Sequence, residues 1–320
     1  MGPSWVLSWH VTTRNADSKA GLIYGVAAYL CWGFFPLYWP LLDPASAYEV
    51  LAHRIVWTFV FCLGLLTLAH KWDAFFSIVR QRRLMVPLAL ASVVITLNWG
   101  GFIWGVTNGH VIETSLGYFI NPLMTVLLGV FILGENLRRL QWAAVALGTI
   151  AVVVLTIDYG RPPWVALLLA TSFATYGFLK KRANLGTIEA LSVETTILTP
   201  FAVAFLVLLG FQGTLAFGHE GTLNTVLLVG TGVVTAIPLL MFGAAAVRLS
   251  LTTIGILQYL GPILQFIFGL TIFGETMGTA RWIGFVMVWA ALVIFTYDAM
   301  RTRRRSKRTA DEAAAESTAI

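Results

Sequence analysis

The chain has 320 residues, 58% of them hydrophobic and only 11% charged, with a formal net charge of +6 and a mean hydropathy of +0.80. Soluble domains carry about 25% charged residues, so a soluble two-domain protein is excluded and the chain falls in the membrane class. Cys31 and Cys62 both lie in apolar runs, no Cys/His cluster has metal-ligand spacing, and no GxxxxGK phosphate loop occurs. The cysteines therefore read as small buried side chains, and neither a cofactor nor ATP hydrolysis is expected.

Residues 1–19 mix polar and aromatic side chains, with Arg14, Asp17 and Lys19, and lack the apolar core of a cleavable signal peptide. They are expected to form a cytoplasmic lead-in, free or lying on the membrane surface. A spanning helix needs about 20 mostly apolar residues. Ten segments qualify: 20–42, 47–69, 84–107, 112–133, 140–157, 163–180, 188–209, 222–248, 251–273 and 280–300. The fold class is thus an all-α polytopic membrane protein with ten transmembrane helices. The longest connections are 70–83 and 210–221. Residues 301–320, "RTRRRSKR" and an acidic Ala-rich end, form a polar tail predicted to be disordered beyond its first turn.

Orientation follows from Lys and Arg, which accumulate in cytoplasmic loops. With the N-terminus inside, 18 of the 21 basic residues fall in inside segments. Outside segments hold only Arg161 and Arg281, and Arg54 lies within a helix. Both termini are therefore expected in the cytoplasm, and the basic charge is explained without nucleic acid. The tail cluster reads as a stop anchor with a secondary attraction to anionic lipid.

Comparing each residue n with n+140 uncovers a duplication. Pro122 meets Pro262, Gly129 meets Gly269, Gly134-Glu135 meets Gly274-Glu275, Trp142 meets Trp282 and Asp158 meets Asp298. Further back, Phe102 meets Phe242 and Glu49 meets Glu189; nearer the start the offset drifts to 144, where Trp32-Gly33-Phe34 meets Tyr176-Gly177-Phe178. Apolar helices share Leu and Val by chance, but matched Pro, Trp, Glu and Asp in one frame are a stronger signal. The first repeat spans 20–157 and the second 163–300. Five helices is an odd number, so the halves must sit in opposite orientations, with Glu135 inside and Glu275 outside. Inverted repeats characterise many secondary transporters, and exchange of shape between the halves gives alternating access.

Pro122 and Pro262 each remove an intrahelical hydrogen bond and are expected to bend or break their helices. Paired interruptions of this kind point to a binding site and its gating elements; the bland alternative is a pair of packing kinks.

"EVLAHRIVW" (49–57), "NWGGFIWGVTNGH" (98–110) and "ETSLGYFINPLMTVLLGVFILGENLRRLQW" (113–142) resemble the RarD branch of the EamA-type transporters, within the drug/metabolite transporter superfamily. The resemblance runs from about residue 20 to 300. It implies ten helices, two EamA repeats and a bacterial inner membrane. Members are linked by name to chloramphenicol sensitivity, and the natural substrate of the branch is poorly defined.

Ionisable groups at bilayer depth are costly and are read first as functional. Arg54 sits about two turns into its helix and its n+140 counterpart is Glu194. The two are expected to meet near the pseudo-two-fold axis, as a state latch, a site for a charged or zwitterionic substrate, or a structural pair. His53 and Glu194 are the candidates for proton coupling. Asn98, Trp99, Tyr118, Asn121, Gln258 and Tyr259 are expected to supply substrate contacts, with Gln265 nearby and with Trp32 and Tyr176 as matching walls. His110, Glu113 and Glu49 read as interfacial. Gly101, Gly105 and Gly109, and Gly21 with Gly25, form small-residue packing stripes.

These features predict a secondary transporter, an exporter of a small organic metabolite or drug, with the proton as candidate coupling ion. Its partners would be that small molecule and membrane lipids, not nucleic acid, in a monomer or homodimer. A membrane enzyme acting on a lipid-like substrate is the alternative; diphosphate chemistry would need clustered aspartates, and the six here are scattered. A channel or scaffold is the third.

Overall fold

The computed structural model describes residues 18–318 apart from 135 and 184. The lead-in 1–17 and the position assigned to Glu135 thus lie outside the described residues. The helices in chain order are α1 (Lys19–Tyr38), followed by a 3-10 turn (Trp39–Leu42), α2 (Ala47–Leu68), α3 (Trp72–Val79), α4 (Arg82–Thr107), α5 (Val111–Leu133), α6 (Arg139–Tyr159), α7 (Trp164–Ala183), α8 (Thr187–Gln212), α9 (Gly221–Ala246), α10 (Leu251–Leu257), α11 (Leu260–Thr271) and α12 (Thr279–Thr318). Nine helical spans among the described residues are long and apolar enough to cross a membrane, and Trp164–Lys180 is a tenth, shorter apolar helix. No strand occurs among them. Large apolar side chains such as Phe131, Ile157 and Phe211 are 79%, 76% and 87% exposed, whereas Glu49, Arg54, Asn98, Glu113 and Glu194 are buried. An apolar exterior around a polar interior is the arrangement a lipid solvent demands.

The packing repeats by exchange of halves. α1 packs on α9, α10 and α11; its counterpart α7 packs on α4 and α5. α2 packs on α9, and its counterpart α8 on α4; α2–α8 and α6–α12 pair across the repeats. An ion pair ties each end of the α6–α12 pair: Arg281 Nε to Asp158 Oδ2 at 2.7 Å, and Arg138 Nε to Asp298 Oδ2 at 2.7 Å. The two pairs lie on opposite faces. The face carrying the start of α1 and the continuation of α12 is termed the terminal face below.

Three expectations are corrected. Residues 70–83 are not a plain connection: "WDAFFSIV" forms the amphipathic helix α3, which buries Phe75 and Ile78 against α4 and α8. The tail does not leave the helix after one turn, because α12 runs to Thr318. Arg, Lys, Ala and Glu are strong helix formers, and a helix already nucleated by a spanning segment elongates without a nucleation cost. The prolines are not equivalent breaks. α5 passes through Pro122 without interruption, whereas the second half divides into α10 and α11 at Gln258-Tyr259. "YFINP" precedes and includes the first proline and "QYLGP" the second; Gly261 in place of Asn121 weakens the helix where Pro262 has already removed a hydrogen bond. Pro262 therefore sits in the first turn of α11, which begins at Leu260, rather than in the middle of one long helix.

Gly232 marks the closest backbone approach. A Cβ there would stand 2.4 Å from the carbonyl carbon and oxygen of Trp57, so α9 and α2 touch main chain to main chain. Gly232→Ala is expected to lower thermal stability in detergent by about 1–3 kcal/mol, because the backbone of Trp57 cannot step aside. Gly64→Ala, also involving α2 but with nothing within 4 Å, is the control and should cost nothing.

Candidate functional site

Helices from both halves surround a central cavity of about 290 Å³. α1 contributes Tyr29, Trp32 and Phe35, α4 contributes Asn98 and Trp99, and α9 contributes Thr235 and Phe242. Along α9 the lining runs from Thr235 to Phe242, a depth of roughly 10 Å at 1.5 Å per residue. Arg54, Asn98, Trp99, Tyr118, Asn121, Tyr176, Trp32, Gln258 and Pro262 all line it, as does Gln265.

The polar groups are held from behind. Asn98 Nδ2 donates to Leu169 O (3.1 Å) and Ser172 Oγ (3.0 Å), and its Oδ1 accepts from Tyr118 Oη (3.3 Å). One amide therefore joins α4, α5 and α7. Gln265 Nε2 donates to Trp32 O at 3.1 Å, which fixes its orientation and leaves Oε1 buried without a partner. Trp32 packs edge-on against Tyr29 at 5.2 Å and tilted against Phe242 at 5.7 Å.

Arg54 is only 4% exposed. Its Nε donates to Thr235 Oγ1 at 2.9 Å, and its guanidinium carbon lies 4.2 Å from the Trp99 ring centre, 5.1 Å from Trp39 and 5.7 Å from Phe35. The expected Arg54–Glu194 pair does not form. Glu194, 1% exposed, accepts from Lys180 Nζ at 2.8 Å and from Tyr176 Oη at 2.9 Å. The reason is facing: Arg54 points from α2 toward α9, α1 and α4, while Glu194 points from α8 toward α7. Glu194 stands behind the cavity wall and touches it only through Tyr176.

Three other expected contributors lie elsewhere. Tyr259 packs into the α5–α6–α12 core, with Oη 3.4 Å from Thr296 Oγ1. Pro122, inside α5, is not among the cavity residues. His53 faces away, with Nδ1 accepting from Trp57 Nε1 at 3.2 Å, its ring against Phe217, and Glu49 at 3.8 Å. Tyr29, Phe35, Phe173, Thr235 and Phe242 were missed; in apolar helices one aromatic resembles another, although Phe242 is the repeat counterpart of Phe102, which also lines the cavity.

The face opposite the termini is sealed by carboxylates on helix N-termini, where free N–H groups and the helix dipole favour anions. Glu275 accepts from the backbone N–H of Val111 and of Ile112, the latter at 3.0 Å, at the start of α5. Glu113, 1% exposed in the first turn of α5, accepts from Val165 N at 3.0 Å at the start of α7 and from Arg161 Nη2 at 3.0 Å. Glu49 accepts from Ala216 N and Phe217 N in the connection between α8 and α9. A Cβ on Gly269 would meet Ile112 Cγ1 at 2.6 Å, so α11 lies directly on α5. Residues 114–120 are buried except Tyr118, whereas none of their repeat counterparts 254–260 is buried. The same segment is closed at one face and loosened at the other.

Burial lifts the Glu275 carboxyl above its usual range, assisted by the negative charge of Glu113 and opposed by the two backbone donors and Arg281. His110, Tyr159 and Arg161 share its pocket. If the seal opens, Glu275 enters water and returns to an ordinary carboxylate value, so the sealed state binds the proton more tightly. Closure is then favoured below the ordinary value and weakens as pH rises through the raised one. Thiol labelling of a cavity cysteine from the sealed side, normalised to an exposed cysteine, should rise between pH 5 and pH 8. Glu275→Gln should flatten that profile.

Residues 19–157 match the EamA-like transporter family. The chain is 51% identical over 299 residues to the protein RarD of Streptomyces exfoliatus, covering 93% of this chain and 95% of that one. It is 39% identical over 292 residues to the protein RarD of Escherichia coli (strain K12), covering 91% and 99%. A solved crystal structure with 16% identity superposes with a TM-score of 0.56 over 87% of this chain and 98% of that one, a likeness of fold.

Proposed function

As a member of the EamA-like transporter family this chain is a multi-pass membrane transporter, and we propose that it moves a small organic solute by alternating access through the central cavity. The terminal face is read as cytoplasmic, from the 18-to-2 basic bias, and the membrane as the bacterial inner membrane, since the relatives above are bacterial. The conformation is then inward-open, and the direction proposed is export, with the solute entering from the cytoplasm. One observation carries this reading: a cavity lined by both repeats, with segment 114–120 buried at the sealed face and its counterpart 254–260 half-exposed at the other. An open pore would need neither the seal nor the asymmetry. Opening the far face requires α11 to leave α5, and closing the near face requires α10 to take the buried place that the first half of α5 now has. Glu275, whose carboxyl is held above its usual range by burial at the seal and which opening would expose to water, is the group through which protons would couple, in place of His53 and Glu194.

Counterflow in proteoliposomes tests the mechanism. Preloaded unlabelled solute should drive transient accumulation of labelled solute, with saturation. Flux that rises linearly with concentration and shows no counterflow would make the protein a channel.

A further inference from the structure

The cavity contains a positive charge that the protein does not neutralise. Arg54 is 4% exposed, yet no carboxylate among the described residues lies within ion-pair distance of it, and its single hydrogen bond uses Nε. Nη1 and Nη2 have no protein partner, and they are not among the polar atoms sealed by protein. They face the cavity that Arg54 lines. The buried carboxylates Glu49, Glu113 and Glu194 are each committed to other donors. A buried charge is tolerated when it is paired, and here the pairing position is empty space beside the fork of donors that best fits a carboxylate or phosphate.

We propose that the cavity binds an organic anion, its acidic group on Arg54 Nη1 and Nη2 and its apolar body against the Trp32 and Phe242 rings nearer the terminal face. The proposal rests on the transport reading above and names its substrate class. Arg54 sits at the sealed end, so the anion enters head first. A cavity of about 290 Å³ is at the small end of the range for organic ligands, so a metabolite of one or two rings fits and a bulkier drug does not. Trp99 and Thr235 hold the guanidinium in place without cancelling its charge.

The test compares ligands that differ only in head group. Indole-3-acetate, indole-3-acetamide and tryptamine, and the matching phenyl series, are titrated against the purified full chain by calorimetry. The expected result is that at least one carboxylate binds more than tenfold tighter than its amide and its amine. Arg54→Gln should weaken that binding on the order of 30-fold or more, and Arg54→Lys should retain part of it. The unliganded melting temperature of Arg54→Gln should not fall, because an unpaired buried charge is removed; if that variant fails to fold, Arg54→Lys and the head-group preference of the wild type decide. No carboxylate preference in either series, or carboxylate binding that survives Arg54→Gln, overturns the proposal. So does equal competition by inorganic phosphate, which marks a simple ion site, or by phosphatidylglycerol, which marks a lipid head-group site. Carboxylate-selective, Arg54-dependent binding without counterflow would sink the transport reading and leave the anion site standing. Counterflow of neutral or cationic solutes that ignores Arg54 would do the reverse.

Discussion

Lys180→Ala is expected to destabilise the protein by about 3–5 kcal/mol, since removing one partner of a buried ion pair strands the other charge. Glu194 is 1% exposed and has two donors, Lys180 Nζ and Tyr176 Oη. Losing the ammonium leaves one hydroxyl to support a carboxylate in the helix bundle. Replacing both partners, Lys180→Met with Glu194→Leu, should cost much less than the sum of the single changes, because neither charge is then left alone. Thermal melts of the three variants in detergent measure the coupling. Arg54→Gln with Glu194→Gln should instead be additive, as the two share no contact. A strong Arg54–Glu194 coupling would show that another state of the transporter brings them together.

Glu275→Ala is expected to move the resting equilibrium toward opening at the face opposite the termini. The carboxylate satisfies two N–H groups at the start of α5, and loss of a cap of this kind costs about 1–2 kcal/mol. That corresponds to roughly a 5- to 30-fold change in the ratio of sealed to open protein. The readout is labelling of a cysteine at Tyr118 by an impermeant reagent from the sealed side, in a background lacking Cys31 and Cys62. Gly269→Leu tests the same seal sterically: a side chain there cannot coexist with Ile112 in its present place, so α11 must leave α5. Both variants should open the same face and should fold, because the α5–α11 contact is one that alternating access must break. Unchanged labelling in both would mean that the α5–α11 contact is not the gate.

Much of this was legible in one dimension. Spans depend on runs of about 20 apolar residues and duplication on matched Pro, Trp, Glu and Asp; each is a local or periodic property of the chain. The repeat is mirrored in the exchange symmetry of the packing and in the paired locks Asp158–Arg281 and Asp298–Arg138, of which only the aspartates matched in sequence. Eight of the ten residues expected to contact substrate line the cavity, all but Glu194 and Tyr259; polar and aromatic side chains within apolar spans are a signal the high cost of such groups in lipid makes visible.

What remained was a matter of facing and of state. Arg54 and Glu194 correspond in the repeat, but correspondence fixes depth and helix, not the direction of a side chain. Arg54 faces Thr235 on α9, and Glu194 faces Lys180 on α7. Pro122 and Pro262 correspond equally well, yet the residue before each decides whether the helix survives, Asn121 in one and Gly261 in the other. Above all, two halves of like sequence hold different shapes at once: 114–120 are buried and 254–260 are not. Sequence similarity specifies the pair of shapes available to both halves. Which half holds which shape is set by contacts between distant segments, such as Glu275 on the first N–H groups of α5, and those exist only in the folded molecule.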